Sequence, residues 1–330
     1  MRIGVIGAGA VGGAIAALLA RAGHEVEVTA RGAHLDAIRE RGIHLTGGWG
    51  EYTATVAANE VLTRGPELAI LATKAQDAVA AIRENVPFLR GVPLVVVQNG
   101  LDGLANAHAA TPRSDIVGAL ATFATSYLSP GEVTITTPGP TYLGVLGDND
   151  LPARYAARIL AEVMPTTVIP NFRGAQWTKL VINQVNALPA ITGLSVQEVV
   201  AVGSLRRVMT ASMRECVRIG FRNKVHFEKL QGLGNRGLRL FSILPLWLGQ
   251  ALPALMSARI GRTPNPGSTL QSIRRGEASE IDYLNGSVVR AAAAGRRAPV
   301  NAALVELVHE VEASGEFFDA AGVVARVWGR

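Results

Sequence analysis

Short runs of consecutive apolar residues, each followed by a small or polar cluster, recur through the first half of the chain. Residues 2–6, 68–73 and 93–97 are three such runs, Glu25-Val26-Glu27-Val28-Thr29 is a strand-like segment of alternating valines, and helical periodicity follows the first run at once. Unbroken apolar runs of this length predict strands buried on both faces, as in a parallel sheet flanked by helices. Residues 116–127 predict a further strand. Beyond the turn Ser129-Pro130-Gly131, the alternation in residues 133–137 predicts that the same sheet gains antiparallel strands. After Asn171 the strand pattern gives way to helical spacing, which divides the chain into domains of residues 1–171 and 172–330.

The first apolar run leads directly into Gly7-Ala8-Gly9-Ala10-Val11-Gly12, with a helical pattern over residues 13–22 and the second strand behind it. Strand, glycine turn, helix and strand in this order form a dinucleotide-binding βαβ unit. Gly7 permits the tight turn, Gly9 lets the backbone approach a pyrophosphate and Gly12 lets helix and sheet pack closely. The expected class is therefore α/β, a Rossmann-type doubly wound sheet followed by an all-α domain. An acidic residue at the end of the second strand would accept from the ribose hydroxyls of NAD, but the chain has Thr29-Ala30-Arg31 there. Arg31 is suited to the additional phosphate of NADP, so NADPH is the expected cofactor; the alternative is a solvated surface arginine.

Lys74, in Lys74-Ala75-Gln76, and Asn99, in Gln98-Asn99-Gly100, lie just past two strand ends. That edge of a parallel sheet is where ligands bind, so both are candidates to touch the cofactor or the substrate. In the second half, residues 176–186 predict a helix on which Lys179, Asn183 and Asn186 fall at i, i+4 and i+7, one polar stripe among apolar neighbours. An amphipathic surface helix would read the same way.

Composition narrows the setting. With 48% hydrophobic residues in 330, a sizeable core is expected. The formal charge of +6 comes without a basic run interleaved with aromatics, which argues against nucleic acid. One cysteine, Cys216, forms no intrachain disulfide, and no His/Cys spacing suits zinc, so no metal is expected and a reducing cytoplasm fits. The N-terminus lacks the pattern of a secretory signal. Residues 241–256 are apolar but are interrupted by Pro245, Gly249, Gln250 and Pro253, and are too short to cross a bilayer.

Taken together, the glycine turn, Arg31, Thr73-Lys74-Ala75, Gln98-Asn99-Gly100, Trp177-Thr178-Lys179-Leu180 with Asn183, and Ser268-Thr269-Leu270-Gln271 leading to Glu280-Ile281-Asp282-Tyr283-Leu284-Asn285-Gly286 resemble the ketopantoate reductase (2-dehydropantoate 2-reductase) family from end to end. The resemblance implies hydride transfer from NADPH to a 2-keto acid, with Lys179 protonating the developing alkoxide and Glu280 beside it. It further implies that Asn183 and Asn186 hold the substrate, Ser268 its carboxylate, and Lys74 and Asn99 the cofactor and substrate. A small residue near the nicotinamide aligns around Thr125. Ser268-x-x-Gln271 also reads as a capping box, and Glu280 as a complement to a helix N-terminus. The family's second helix asparagine meets Ala187, and Asn186 stands in for it. Residues 221–266 are longer and more apolar than this chemistry requires; they would enlarge the substrate pocket for a bulkier ketone, or pack on a second copy as a homodimer. An NADP-binding redox sensor without catalysis is the reading of another class.

Overall fold

The structure is a computed structural model that describes residues 1–260, 264–292 and 297–329. Two compact units divide it, Met1–Phe172 and Arg173–Arg330.

In the first unit the strands are β1 (Arg2–Ile6), β2 (Glu25–Thr29), β3 (Ile43–Gly47), β4 (Tyr52–Ala54), β5 (Ala57–Asn59), β6 (Leu68–Leu71), β7 (Leu94–Val97), β8 (Ile116–Ala121), β9 (Ala124–Ser129), β10 (Glu132–Thr137), β11 (Thr141–Gly144) and β12 (Thr166–Val168). Its helices are α1 (Ala10–Arg21), α2 (Gly32–Arg41), α3 (Ala78–Leu89), α4 (Gly103–Ala110) and α5 (Leu151–Leu160). Eight strands form one sheet in the order β12-β11-β8-β7-β6-β1-β2-β5. From β5 to β8 every neighbouring pair is parallel. The order β5-β2-β1-β6-β7-β8 is that of a doubly wound dinucleotide-binding sheet, and it reverses between β1 and β6. The glycine turn leaves β1 at that reversal, where such sheets bind their ligands.

The prediction of a single extended sheet holds for β8 and fails for β9 and β10. Those two strands belong to a separate four-stranded sheet, β4-β3-β10-β9. The reason lies in α1, whose residues Gly12 to Leu19 are all buried. A helix apolar on every side must be covered on every side. Ile15, Leu18 and Leu19 share one core with Val5 and Val28 of the large sheet and with Leu45 and Val133 of the small one.

The second unit is helical. It contains α6 (Phe172–Asn183, whose first residue belongs to the first unit), α7 (Ala187–Thr192), α8 (Val196–Ala201), α9 (Gly203–Arg222), α10 (Asn235–Ile243), α11 (Leu246–Gly249), α12 (Ala251–Ile260), α13 (Gly267–Arg274), α14 (Asn285–Ala291), α15 (Pro299–Ser314) and α16 (Ala320–Trp328). The 20-residue α9 is its axis, burying Leu205, Val208, Met209, Ser212, Met213, Cys216 and Val217 at helical spacing. Helices α8, α10, α12, α14, α15 and α16 all pack against it.

Candidate active site

The glycine turn is built as its chemistry demands. Gly7 has φ +94°, and a Cβ there would stand 2.7 Å from Thr73 Cγ2 and 2.9 Å from the Thr73 nitrogen. At Gly12 a Cβ would lie 1.9 Å from the Gly7 carbonyl oxygen. Gly9 differs: a Cβ there meets nothing within 4 Å, so its backbone faces open space, and as N-cap of α1 it makes no side-chain cap. The first-turn N–H groups of α1, beside Ala10 and Val11, are available to an anion. Buried Ala8 donates its N–H to the Thr29 carbonyl, and Gly7 donates to Thr29 Oγ1.

One residue of this region carried no signal in the sequence. His34 of α2 accepts the Gly131 N–H at Nδ1, 3.0 Å, which leaves Nε2 to donate to the Ala8 carbonyl at 2.7 Å. The neutral imidazole thus ties the glycine turn to the β9–β10 hairpin. Arg31, the N-cap residue of α2, donates to both oxygens of Glu84 at 2.7 and 2.8 Å, and its side chain is 69% exposed. An arriving phosphate would have to displace or share that carboxylate.

Lys74 and Asn99 follow β6 and β7, and both are half-buried. Gln98 Nε2 donates to the Thr73 carbonyl at 3.0 Å. Beside them, Gln98 Oε1 and Thr73 Oγ1 are buried with no hydrogen-bond partner. Buried polar atoms are ordinarily satisfied, so this strand edge is fitted for a polar ligand such as the nicotinamide half of a dinucleotide. Thr125 lies in β9 of the small sheet, opposite Ile135.

In the second unit, Lys179 and Asn183 sit one turn apart on α6. Lys179 is half-buried, and loss of water around its ammonium lowers its pKa from the ordinary value to about 8. The predicted uninterrupted helix over residues 176–186 is corrected here: α6 ends at Asn183, and Gln184–Asn186 form a single 3-10 turn before α7. Pro189 accounts for the change. It has no N–H for the Val185 carbonyl, and its ring crowds that oxygen, so the α-helical ladder cannot run through this point. Side chains three apart eclipse in a 3-10 turn, so Asn186 comes into line with Asn183. Three residues at a rise of about 2.0 Å advance as far as four α-helical residues at about 1.5 Å. Asn186 therefore reaches the height that a residue four places beyond Asn183 would occupy in an unbroken α-helix.

The turn brings two predicted residues together, since Asn186 Oδ1 accepts the Ser268 N–H at 3.3 Å. Gly267, with φ +72°, makes the approach possible, because a Cβ there would lie 2.7 Å from Asn186 Oδ1. The capping-box reading of Ser268 and Gln271 fails. The N-cap is Pro266, Ser268 is the second residue of α13, and no side chain caps the helix. The helix starts two residues earlier than the polar pattern indicates, with Pro266 as its N-cap, and the exposed Ser268 hydroxyl is not engaged as a cap. Half-buried Glu280 precedes the 3-10 turn Ile281–Tyr283, and its carbonyl accepts the N–H groups of Tyr283 and Leu284. Among the described residues, no group of three or more His, Cys, Asp or Glu could hold a metal ion, and no helix is long and apolar enough to cross a membrane.

Comparison with known proteins agrees with this geometry in both units. The family described as ketopantoate reductase PanE/ApbA matches residues 3–148, and its C-terminal counterpart matches residues 171–312. The 2-dehydropantoate 2-reductase of Pyrococcus horikoshii is 27% identical over 319 residues, covering 96% of this chain and 99% of its own. The crystal structure of a PanE/ApbA family ketopantoate reductase from Ralstonia eutropha JMP134 superposes with a TM-score of 0.80 at 29% identity, covering 95% of this chain and 99% of that one. A D-mandelate dehydrogenase solved with NADH and anilino(oxo)acetate shares the fold, with a TM-score of 0.81 at 21% identity over 95% of this chain and 99% of that one.

Proposed function

Because this chain belongs to the ketopantoate reductase PanE/ApbA family of nicotinamide-dependent oxidoreductases, we propose that it reduces a 2-keto acid with NADPH, in the first instance 2-dehydropantoate to pantoate. The observation that carries the reading is Lys179, a poorly hydrated ammonium with a pKa of about 8 on the same helical rod as Asn183 and the Asn186–Ser268 contact.

A 2-keto acid offers a ketone oxygen and a carboxylate. NADPH, when bound, would supply a hydride to the carbonyl carbon, and the carbonyl electron pair would move onto oxygen. Lys179 Nζ gives that oxygen a proton, forming the hydroxyl, and regains one from solvent. A pKa near the working pH makes the ammonium an efficient acid, and its charge stabilises the oxyanion before transfer. Asn183 and Asn186 hold the substrate by their amides. Ser268, with the N–H groups of the first turn of α13, receives the carboxylate. Glu280 orients Lys179 or the hydroxyls around it, and Lys74 and Asn99 touch the cofactor and substrate from the strand edge. Ala8 to Gly12 cradle the pyrophosphate. Thr125 takes the family's small-residue role near the nicotinamide. Arg31 exchanges its Glu84 partner for the 2′-phosphate.

A cytoplasmic setting and a homodimer belong to the same reading. Buried, thiol-protonated Cys216 suits a reducing compartment, and Leu240, Ile243, Trp247 and Leu255, all more than half exposed, offer apolar surface to a second copy. Sedimentation of the purified chain tests the dimer. The catalytic reading is tested by Lys179→Ala, assayed for NADPH binding and for turnover of a panel of 2-keto acids. Retained binding with lost turnover supports it; turnover that survives the substitution overturns it.

A further inference from the structure

Four side chains buried almost completely meet in the second unit: Gln184 of the 3-10 turn, Ser212 of α9, Asn285 at the start of α14 and Asn301 in the first turn of α15. Ser212 Oγ donates to Gln184 Oε1 at 2.6 Å, and Asn285 Nδ2 donates to Gln184 Oε1 at 2.8 Å and to Asn301 Oδ1 at 3.0 Å. Gln184 Nε2 donates back to the Leu180 carbonyl of α6 at 3.2 Å. At the far end the Glu215 carboxylate accepts the Val300 and Asn301 N–H groups, both at 3.0 Å, and Asn301 Nδ2 at 2.8 Å. With Nδ2 held by Glu215, Asn301 must turn Oδ1 toward Ser212 and Asn285. The polarity of the whole cluster is therefore set by Glu215 of α9, acting through Asn301.

The cluster is a poor device for stability alone. Asn285 Oδ1 is buried with no partner, and a buried polar network left partly unsatisfied is worse for folding than an apolar filling of the same space. What it does is fix a conformation. Gln184 is the first residue of the turn that eclipses Asn183 with Asn186, and its amide is held from both sides, by Leu180 behind and by Ser212 and Asn285 ahead.

We propose that Gln184, Ser212, Asn285 and Asn301 form a positioning network that locks the 3-10 turn and so holds Asn186 against Ser268 in the geometry that binds the 2-keto acid. The network's kinetic consequence rests on the reductase reading, although its structural one does not. These are positioning residues, acting on the substrate only through Asn186.

The experiment is a double-mutant cycle of Ser212→Ala and Asn186→Ala, read as separate KM values for the 2-keto acid and NADPH, with pH profiles. Loss of the Ser212 hydroxyl's hold on Gln184 predicts that Ser212→Ala raises the keto-acid KM about fivefold. KM for NADPH and the alkaline pKa of kcat should stay unchanged, because Lys179 lies in the regular part of α6. In the Asn186→Ala background the same substitution should have no further effect on the keto-acid KM. Additive effects, or a parallel rise in both KM values, overturn the proposal. Should Ser212→Ala fail to fold, Gln184→Glu serves in its place, since it keeps the shape and the accepting oxygen and its effect must likewise vanish without Asn186. If the wild-type chain reduces no 2-keto acid, the reductase reading falls while the positioning role is judged separately. In asparagine-labelled protein, the Asn186 side-chain amide signals should then shift or broaden in Ser212→Ala, and unmoved signals would refute it.

Discussion

The glycine turn of the first unit and the 3-10 turn of the second solve similar problems by opposite means. At the glycine turn the backbone itself is the device. Gly7 and Gly12 make room by lacking side chains, and the groups available to a ligand are main-chain N–H groups of the first turn of α1, since those of Gly7 and Ala8 are held by Thr29. At the 3-10 turn the side chains are the device, and their placement depends on Pro189, on Gly267 and on four buried amides and hydroxyls drawn from the turn itself and from α9, α14 and α15. A binding site made of backbone is written in one short stretch of sequence. A site made of side chains must be positioned by partners far along the chain.

The largest effect that would break this contrast is expected at Lys179. Lys179→Ala should lower kcat about 1000-fold while NADPH affinity stays within about twofold, measured by fluorescence titration. A joint loss would mean that binding and chemistry do not divide between the two regions. Next comes Arg31→Ala, which should cut the preference for NADPH over NADH by about 10- to 100-fold in kcat/KM, since one charge-assisted contact to the phosphate is lost. An unchanged ratio would leave Arg31 as the surface partner of Glu84 and nothing more.

Within the glycine turn, two substitutions of the same size should behave differently. Gly12→Ala drives a methyl into the Gly7 carbonyl and should lower Tm by about 5 °C. Gly9→Ala meets no protein atom and should leave Tm unchanged while weakening the cofactor about tenfold. Equal Tm losses in the two variants would remove the distinction.

The mildest effect to seek is in pH dependence. With Lys179 as the proposed proton donor, kcat/KM for reduction should fall as pH rises through about 8, and the reverse oxidation should gain over the same interval. Stability has its own sign. The folded pKa lies below the unfolded one, so holding the ammonium costs stability in full below about 8, and the cost fades as pH climbs toward the ordinary lysine value. Lys179→Met should therefore raise Tm at neutral pH, with the gain shrinking at alkaline pH.

How much was legible in the sequence divides along the same line. The strand-like segments that became β1, β2, β6, β7 and β8, and the glycine turn behind β1, were readable because a strand in a helix-flanked sheet and a helix N-terminus without a cap impose local patterns. The separate small sheet was not readable, because β9 and β10 differ from added strands of the main sheet only in what they cover, which is the far side of α1. The Lys179 and Asn183 stripe was visible in its spacing. His34 had no such mark, for its two hydrogen bonds join Ala8 to Gly131, residues 123 positions apart.

The chain by itself determined the order of its strands and helices, the glycine turn, and which residue types stand ready on the helix that carries Lys179. These stem from hydrophobic period and backbone sterics, which act over a few residues. Only the tertiary structure decided that Asn186 meets Ser268, that α13 begins at Pro266's cap rather than at a serine, and that Gln184, Ser212, Asn285 and Asn301 share one network. Hydrogen-bond partners 16 to 101 residues apart are chosen by how helices pack, and packing is a property of all their surfaces at once.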